Sequence, residues 1–472
     1  MANPKDVGAR GAHAVVVGGS IAGLLAARVL SEHFQQVTIL EQDRLEHGPT
    51  VRKGAPQAQH LHGLLHRGAL IVERLFPGLF QEVQADGGLT AEFGPDFLYY
   101  QFGVLKPRVP TGLIGQLHSR PLLEWCIRRR LGAVPNVRTL GGCAVASLAG
   151  SDGGQRVTGL RYRQDGEERW LAADLVVDAS GRGSRAPQWL EALGYPKVEE
   201  TTVQVDVGYS TRLFRLPPRP RDWKFMVILP KPPGEKRLGV LAAIEGGLWI
   251  CTLGGWLKDY PPGDEAGFLD YARGLPRPEL YEVLRDAEPA GPVAVHRFPS
   301  NLRHHYERMA RFPEGLAVVG DAQCSFNPIY GQGMTTAALQ VDALDQCLRE
   351  RTHGAELSRR IRRRTAAAID GPWGMTTTED FRFPEVPGKR PPGFSLMAWY
   401  GAKVAELSGW DHDAFVRFAH VMQMSRSPAT LFAPSMVAKV LALALRGAPK
   451  AQPPVAESSS TARSSCGSAP AA

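Results

Sequence analysis

Short apolar runs alternate with helix-spaced apolar positions in the N-terminal part of the chain. Residues 14–17 form an apolar run bounded by glycines, which predicts a buried parallel strand. Helical spacing follows over 21–30, and a second apolar run at 37–40 predicts another strand. A strand, a helix and a strand in this succession predict one βαβ unit.

The middle of the chain changes to an alternation of apolar and polar residues, which is typical of half-buried strands. Helical spacing at 120–131 precedes a predicted hairpin over 157–177. Alternating segments between 201 and 252, separated by proline-rich links, predict an antiparallel sheet. A strand at 316–319 and a helix from about Gly333 restore the α/β pattern, and a helical region follows.

These patterns divide the 472 residues into several predicted units, as expected for a chain too long for one core. The predicted boundaries are 12–198 with 296–352 for a discontinuous first domain, 199–295 with part of 90–110 for a β-sheet domain, 353–450 for a C-terminal helical region, and 451–472 for a tail. The tail is rich in Ser, Ala, Pro and Gly, and we expect it to be disordered.

The formal net charge of +8 raises the question of a nucleic-acid partner. The basic clusters at 128–130 and 359–364 lie in helix-like stretches. A solvated helix face explains both clusters, so we expect no nucleic-acid partner. The remaining positive charge suits an anionic cofactor or an acidic partner.

The six cysteines form no C-x-x-C pair and no Cys/His cluster with zinc spacing. They predict reduced buried thiols, no metal site and a cytoplasmic protein. The N-terminal residues lack the pattern of a secretory signal, and no stretch has the length of an uninterrupted membrane span. The nearest case, 436–445, is interrupted by Lys439 and predicts an amphipathic helix, so we expect membrane contact to be peripheral at most.

The first glycine-rich turn follows a predicted strand and opens a predicted helix. Gly18 permits a tight turn and Gly23 permits close packing of helix on strand, while Ser20 stands where a middle glycine is usual. The helix N-terminus would offer free N–H groups to phosphates. Glu41, at the end of the second strand, is placed to bind ribose hydroxyls. The motif predicts dinucleotide binding but does not separate FAD from NAD.

The second glycine-rich turn favours FAD. A predicted strand ends at Gly320-Asp321, and an acidic residue at a strand end can hold the ribityl chain of a flavin. The loop 327–335 contains Pro-x-x-Gly-Gln-Gly directly before another predicted helix. Its backbone N–H groups would stabilise negative charge on a reduced flavin ring.

Several motifs together resemble the flavoprotein monooxygenases of the para-hydroxybenzoate hydroxylase fold, in stretches spread over most of residues 12–350. They are GGSIAG, DASGRGS and GDAQCSFNPIYGQGMT, with Arg-Lys-Gly-Ala-Pro-Gln at 52–57 and Gln-His-Leu-His at 59–62. The combination looks most like the bacterial secondary-metabolism branch that includes polyether-type olefin epoxidases. The resemblance implies an α/β fold: a Rossmann-like, glutathione-reductase-type FAD-binding domain, an inserted and mostly antiparallel β-sheet substrate domain, and a C-terminal helical region.

The same resemblance implies FAD as cofactor, a flavin C4a-hydroperoxide as oxidant, and epoxidation or hydroxylation of a large apolar substrate. By motif match, Asp321 would contact the ribityl chain and Arg120 would bind FAD. The residues that would line the flavin are Pro328, Gly331, Gln332, Gly333 and Met334. The complete predicted cofactor-binding set is Gly18, Ser20, Ile21, Ala22, Gly23, Glu41, Gln42, Arg44, Arg52, Lys53, Arg120, Ala144, Val145, Asp178, Ser180, Gly181, Gly320, Asp321, Gly331, Gly333 and Met334. No protein side chain is assigned as catalytic.

The motif DASGRGS at 178–184, here called the middle motif, differs from the corresponding motif of the single-component hydroxylases. They carry an Asp-Gly pair linked to FAD and NADPH binding, whereas this chain has Ser180-Gly181. The hypothesis is that electrons come from NAD(P)H through a separate flavin reductase, which would be a partner; direct reduction by NAD(P)H is the alternative.

Other residues and functions stay open at this point. His60, His62 and His66 either lie beside the flavin or satisfy backbone groups, and Tyr209, Glu245 and Asp259 are surface or turn residues unless they contact substrate. A flavin-dependent halogenase is an alternative function, although the chain lacks Trp-x-Trp-x-Ile-Pro. A non-catalytic carrier of a polyketide or polyprenyl intermediate is another, which the complete Pro-x-x-Gly-Gln-Gly loop disfavours.

Overall fold

The computed structural model describes residues 10–350, 352–447 and 449. The predicted tail at 451–472 lies outside the described residues. The strands are, in chain order, β1 (Gly11–Val17), β2 (Phe34–Leu40), β3 (Leu89–Glu92), β4 (Phe97–Gln101), β5 (Val104–Leu105), β6 (Ile114–Leu117), β7 (Val137–Leu140), β8 (Cys143–Gly150), β9 (Val157–Gln164), β10 (Glu167–Ala172), β11 (Leu175–Asp178), β12 (Glu200–Arg215), β13 (Phe225–Ile228), β14 (Arg237–Ala243), β15 (Trp249–Gly255), β16 (Glu288–Pro289), β17 (Ala294–His304), β18 (Leu316–Val318) and β19 (Cys324–Ser325). The helices are α1 (Ile21–Leu30), α2 (His66–Leu75), α3 (Leu79–Ala85), α4 (Arg120–Gly132), α5 (Ala186–Ala192), α6 (Glu265–Arg273), α7 (Glu279–Leu284), α8 (Gly333–Arg349), α9 (Gly354–Asp380), α10 (Phe394–Leu407), α11 (His412–Met422) and α12 (Pro434–Arg446).

A parallel sheet of five strands holds both glycine-rich turns. Its strand order is β18-β11-β1-β2-β7, and every neighbouring pair is parallel. The central strand β1 is buried over residues 14–17, which explains its uninterrupted apolar run. Because parallel strands end at the same edge, the turns after β1, β2, β11 and β18 meet there.

A second sheet has nine strands and is mostly antiparallel. The order is β19-β17-β12-β15-β14-β13-β4-β5, with β16 paired to β12. The pair β13–β4 is parallel, so a strand from 97–101 joins strands from 200–304. The strand β12 runs for 16 residues and continues through a bulge between Gln204 and Val207. A three-stranded sheet β10-β9-β8 and a two-stranded antiparallel sheet β3–β6 complete the β-structure of the described residues.

The C-terminal helices α10, α11 and α12 pack against the end of the large sheet at β4. Phe93 stacks on Phe415 with ring centroids 6.1 Å apart. Within the described ranges, no helix combines the length and apolar content needed to span a membrane. The predicted α/β class, with a parallel sheet, an antiparallel sheet and a helical C-terminal region, is confirmed. The domain boundaries themselves stay a prediction.

Candidate cofactor and substrate site

The first glycine-rich turn brings backbone unusually close to backbone. Gly18 has φ +101°, and a Cβ there would lie 2.6 Å from the Ala179 carbonyl oxygen. A Cβ on Gly23 would lie 1.9 Å from the Gly18 carbonyl oxygen. Ser20 is the N-cap residue of α1, but its side chain makes no capping hydrogen bond. The N-terminal end of α1 therefore approaches the turn closely and keeps its first N–H groups for a ligand.

Buried charged side chains form a hydrogen-bonded network beside this turn. The Ser20 hydroxyl donates to Glu124 Oε2 at 2.8 Å and accepts from Arg120 at 2.8 Å. Arg52 donates to Glu124 Oε1 and lies 3.1 Å from Glu41 Oε2. Burial alone would raise the pKa of Glu124, but Arg120 and Arg52 hold it below its ordinary value. Glu124 is therefore ionised, and it fixes both arginines beside the first glycine-rich turn.

Glu41 also belongs to this network, because its carboxylate lies beside Arg52. One carboxylate oxygen accepts from the Gly19 N–H at 2.8 Å, and the other accepts from the Asp43 N–H at 2.9 Å. The side chain is only 4% exposed, so Glu41 orders the turn directly. Its contact with a ribose stays a prediction.

The second glycine-rich turn faces the first across the sheet edge. Gly320 has φ +67°, and a Cβ there would lie 2.8 Å from Ala22 Cβ. Burial raises the pKa of the neighbouring Asp321 carboxyl, whereas Arg120 and Arg182 act to lower it. The Nε of Arg120 is buried and has no hydrogen-bond partner within the described part of the chain. Asp321 and Arg120 therefore offer an acceptor and a donor that a ribityl or phosphate group would satisfy.

The loop 327–335, here called the flavin-type loop, is held in place by the buried carboxylate of Asp380. The loop contains a 3-10 turn at Pro328–Tyr330 and a left-handed Gly331. Asp380 accepts from Asn327 Nδ2 at 2.9 Å and from the Tyr330 hydroxyl at 3.0 Å. It also accepts from Trp256, which directly follows β15, and from Asn301 on β17. Burial raises the pKa of Asp380, and these donors lower it.

One cavity of about 700 Å³ connects both turns. The predicted residues that line it are Ser20, Ile21, Ala22, Arg120, Gly181, Gly320, Asp321, Pro328, Gly331, Gln332, Gly333 and Met334. Beyond the loop the lining becomes apolar, with side chains from β4, β13, β14, α10 and α11. An extended dinucleotide with its ring at the loop fits this arrangement, and the apolar part then remains for substrate.

Neutral polar side chains also line the cavity. His60 Nδ1 is 2.8 Å from the Thr211 hydroxyl, and burial lowers the pKa of His60 to about 4. Burial and Arg120 lower the pKa of His62 to about 3. Tyr209 stacks on His296 with ring centroids 5.8 Å apart, and both line the cavity. These rings can exchange hydrogen bonds with a ligand but carry no charge near neutral pH.

Several other predicted residues lie away from the cavity. Arg44 pairs with Asp165 at 2.9 Å, and Gln42 and Lys53 are exposed. Ala144 and Val145 follow Cys143, whose N–H donates to the Glu41 carbonyl at 2.8 Å, so they lie near the predicted ribose site. The roles of these residues in binding FAD stay predictions.

The structure also shows the contacts of the middle motif and of the candidates His66, Glu245 and Asp259. Asp178 is fully buried and accepts from the Ser180 and Ser184 hydroxyls. His66 lies 3.1 Å from the Ile114 carbonyl oxygen, Glu245 accepts from the Ser119 N–H, and Asp259 pairs with Arg237. Of the weaker candidates in the sheet domain, Tyr209 lines the cavity, whereas Glu245 and Asp259 do not.

Sequence reasoning missed Glu124, Arg182, His296 and Asp380. Glu124 carried a usable signal, because it follows Arg120 by four residues on one helix face. Arg182 carried another, because it lies inside the DASGRGS motif. His296 and Asp380 reach the site from β17 and α9, and no local pattern marks them.

No protein-family model matches the chain. Protein Rv3254 of Mycobacterium tuberculosis is 36% identical over 397 residues, which cover 81% of this chain and 82% of that protein. The kynurenine 3-monooxygenase of Salinispora tropica is 25% identical over 367 residues, 71% of this chain and 72% of that enzyme.

Two solved structures have a similar fold at low sequence identity. The flavin-dependent brominase Bmp2 has a TM-score of 0.62 at 15% identity, covering 92% of this chain and 99% of Bmp2. PqsL, a probable FAD-dependent monooxygenase from Pseudomonas aeruginosa, has a TM-score of 0.59 at 18% identity, covering 79% and 99%. The chain belongs to the family of Protein Rv3254, and its fold is that of the FAD-dependent monooxygenases and halogenases.

Proposed function

We propose that this protein is an FAD-dependent monooxygenase. It inserts one oxygen atom from O2 into a large apolar substrate of secondary metabolism, by epoxidation of an alkene or hydroxylation of an aromatic ring. One observation carries the proposal: a single cavity joins the two glycine-rich turns to an apolar space. A cofactor ring and an apolar substrate would meet in that cavity.

The cofactor side supplies binding and orientation. The N–H groups at the start of α1 would bind the pyrophosphate, with Arg120 beside them. Asp321 would accept from the ribityl chain, and the loop ending at Gly333 would present N–H groups to the ring. Bound FAD would supply the oxygen-activating chemistry. Each of these contacts would use a group that lines the cavity, which supports the proposal.

The substrate side supplies water exclusion and orientation. Its lining includes Phe93, Phe97, Phe225, Val240 and Ile250. Such a lining keeps water from the reacting atoms and holds an apolar molecule beside the cofactor ring. Epoxidation of an electron-rich alkene needs no protein nucleophile or base, which suits a site whose histidines are neutral.

We further propose that electrons arrive through a separate flavin reductase that uses NAD(P)H. The support is the middle motif, in which Ser180-Gly181 stands where the single-component hydroxylases carry Asp-Gly, and the Ser180 hydroxyl donates to the fully buried Asp178. Stopped-flow mixing of the FAD-loaded protein with NADPH alone tests this. We expect no flavin bleaching at catalytic rates, and rapid bleaching would show direct reduction instead.

A flavin-dependent halogenase is the second candidate. The likeness to Bmp2 supports it, because that fold match extends over 92% of the chain. The missing Trp-x-Trp-x-Ile-Pro segment speaks for the monooxygenase. The two functions differ in product: one adds oxygen, and the other adds halogen only when halide is present.

The deciding experiment supplies labelled dioxygen, a flavin reductase, NADPH and a panel of apolar alkenes and aromatics. Mass spectrometry then reads the products in the presence and absence of bromide and chloride. We expect one labelled oxygen atom per product, independent of halide. Halide-dependent halogenation would replace the proposal with the second candidate. Flavin binding with no product from any substrate would favour a non-catalytic carrier.

A further inference from the structure

Large apolar side chains are exposed together on the C-terminal helices. Leu396 is 66% exposed, Met397 47% and Trp399 40%, all on α10. Phe432 is 42% exposed and stacks on Tyr400 of α10, with ring centroids 4.7 Å apart. We call Leu396, Met397, Trp399 and Phe432 the apolar rim. Exposed apolar residues that cluster in this way mark interaction surfaces.

The apolar rim is continuous with the substrate side of the cavity. Met397 belongs to both, since it is half exposed and also lines the cavity. Leu431, next to Phe432, lines the cavity too, as does Phe394 at the start of α10. The lining of the cavity therefore reaches the exposed surface at Met397, a member of the apolar rim, and we take this place, between α10 and the segment 428–432, as the mouth of the cavity.

The charge around the rim is net positive, since residues 387–447 contain seven Lys or Arg and three acidic residues. Residues 387–405 contain no Asp or Glu, and neither do residues 414–447. Lys389, Arg426 and Arg446 are basic residues of these segments and are exposed. Two further lysines are neutralised locally, Lys403 by Glu406 and Lys439 by Asp411. The surface beside the rim is thus apolar with a net positive margin.

We propose that the apolar rim docks on the surface of an anionic lipid bilayer. Tryptophan and phenylalanine insert at the boundary between headgroups and acyl chains, and basic residues attract anionic headgroups. A second copy of the chain fits less well, because a symmetric contact would place two positive margins against each other. Resting on the proposed function, the docking lets an apolar substrate pass from the acyl layer into the cavity through its mouth.

Vesicle co-sedimentation of the FAD-loaded full chain tests the docking without any turnover. Two vesicle types are used, phosphatidylcholine alone and phosphatidylcholine mixed with phosphatidylglycerol, each at low and high salt. The test variant combines Leu396→Ser, Trp399→Ser and Phe432→Ser. The matched control is Trp170→Ser, which removes a tryptophan that is 51% exposed on β10. Thermal unfolding and flavin absorbance verify that both variants are folded.

We expect the wild type and Trp170→Ser to bind the anionic vesicles, more weakly at high salt and more weakly to phosphatidylcholine alone. The triple variant should bind at least about tenfold more weakly, since it loses most of the inserted apolar area. Absence of wild-type binding at low salt, or equal binding by the triple variant, overturns the docking. So does a sedimentation-velocity result in which the rim substitutions convert a dimer to a monomer without changing vesicle binding. Vesicle binding without oxygen insertion would refute the proposed function and leave the docking intact.

Discussion

Gly23→Ala tests whether the first turn depends on close backbone contact. An added Cβ would lie 1.9 Å from the Gly18 carbonyl oxygen, whereas real Cβ atoms keep at least 3.0 Å. The start of α1 would have to move by more than 1 Å, or the Gly18 turn would have to open. Because the neighbour is backbone rather than a flexible side chain, the cost lies at the upper end of overpacking, about 2–3 kcal/mol. Alanine's better helix propensity returns about 1 kcal/mol at most.

Two measurements follow the effect of this substitution. Thermal or chemical unfolding should show a net loss of about 1–2 kcal/mol. FAD affinity, titrated by flavin fluorescence, should fall about tenfold or more, since each 1.4 kcal/mol of displaced contact costs a factor of ten. Gly132→Ala is the matched control, because that helical glycine has no atom within 4 Å of its added Cβ. Equal FAD affinity in Gly23→Ala and Gly132→Ala would refute the reasoning.

Three further predictions concern buried charges. Burial lowers the pKa of Lys106 to about 7 from 10.5, so the folded chain holds fewer protons than the unfolded chain between these values, and stability rises with pH there. Lys106→Met should therefore be more stable than wild type at pH 6, and unfolding titrations should show this advantage shrinking towards pH 10 by up to about 1.4 kcal/mol per pH unit. Asp380→Ala leaves four buried donors without their acceptor and should lose about 3 kcal/mol or more in urea unfolding, while Asp380→Asn, which keeps one oxygen, should lose less. Arg120→Gln removes the guanidinium that is proposed to contact FAD, and it leaves Glu124 with Arg52 as its charged partner. FAD should therefore be released during gel filtration, and full flavin retention would contradict the proposed contact between Arg120 and FAD.

Local patterns predicted the elements whose structure is decided locally. The strand β1, the helix α1 and the strand β2 lie where the apolar runs and glycines placed them. The fingerprint succeeds because close backbone contacts require its glycines: Gly23 meets the Gly18 carbonyl oxygen five residues away, although Gly18 itself meets the carbonyl oxygen of the distant Ala179. The second turn follows the same logic, with Gly320 at a strand end and Gly333 at a helix start.

Contacts between distant segments could not be predicted in this way. Asp380 lies 53 residues from Asn327 along the chain, and Glu124 lies 72 residues from Arg52. Periodicity reports which face of an element is buried, but not which element covers it. The alternating segments 202–207 and 212–216 illustrate the same limit, because only pairing with β15 and β17 shows that they form one strand.

The helix α9 couples the flavin-type loop to the helices around the cavity mouth. The Thr376 hydroxyl donates to Gln332 in the loop, and Asp380, the last residue of α9, holds Asn327 and Tyr330. The chain then runs through residues 381–393 to α10, which carries Leu396, Met397 and Trp399 of the apolar rim, and Arg382 of this connection donates to the Ala398 carbonyl. A movement of α10 that shifts the C-terminal end of α9 would also shift Asp380, which accepts the hydrogen bonds of Asn327 and Tyr330 in the loop. We therefore expect substitutions at Asp380 to alter both FAD affinity and the access of apolar ligands to the cavity.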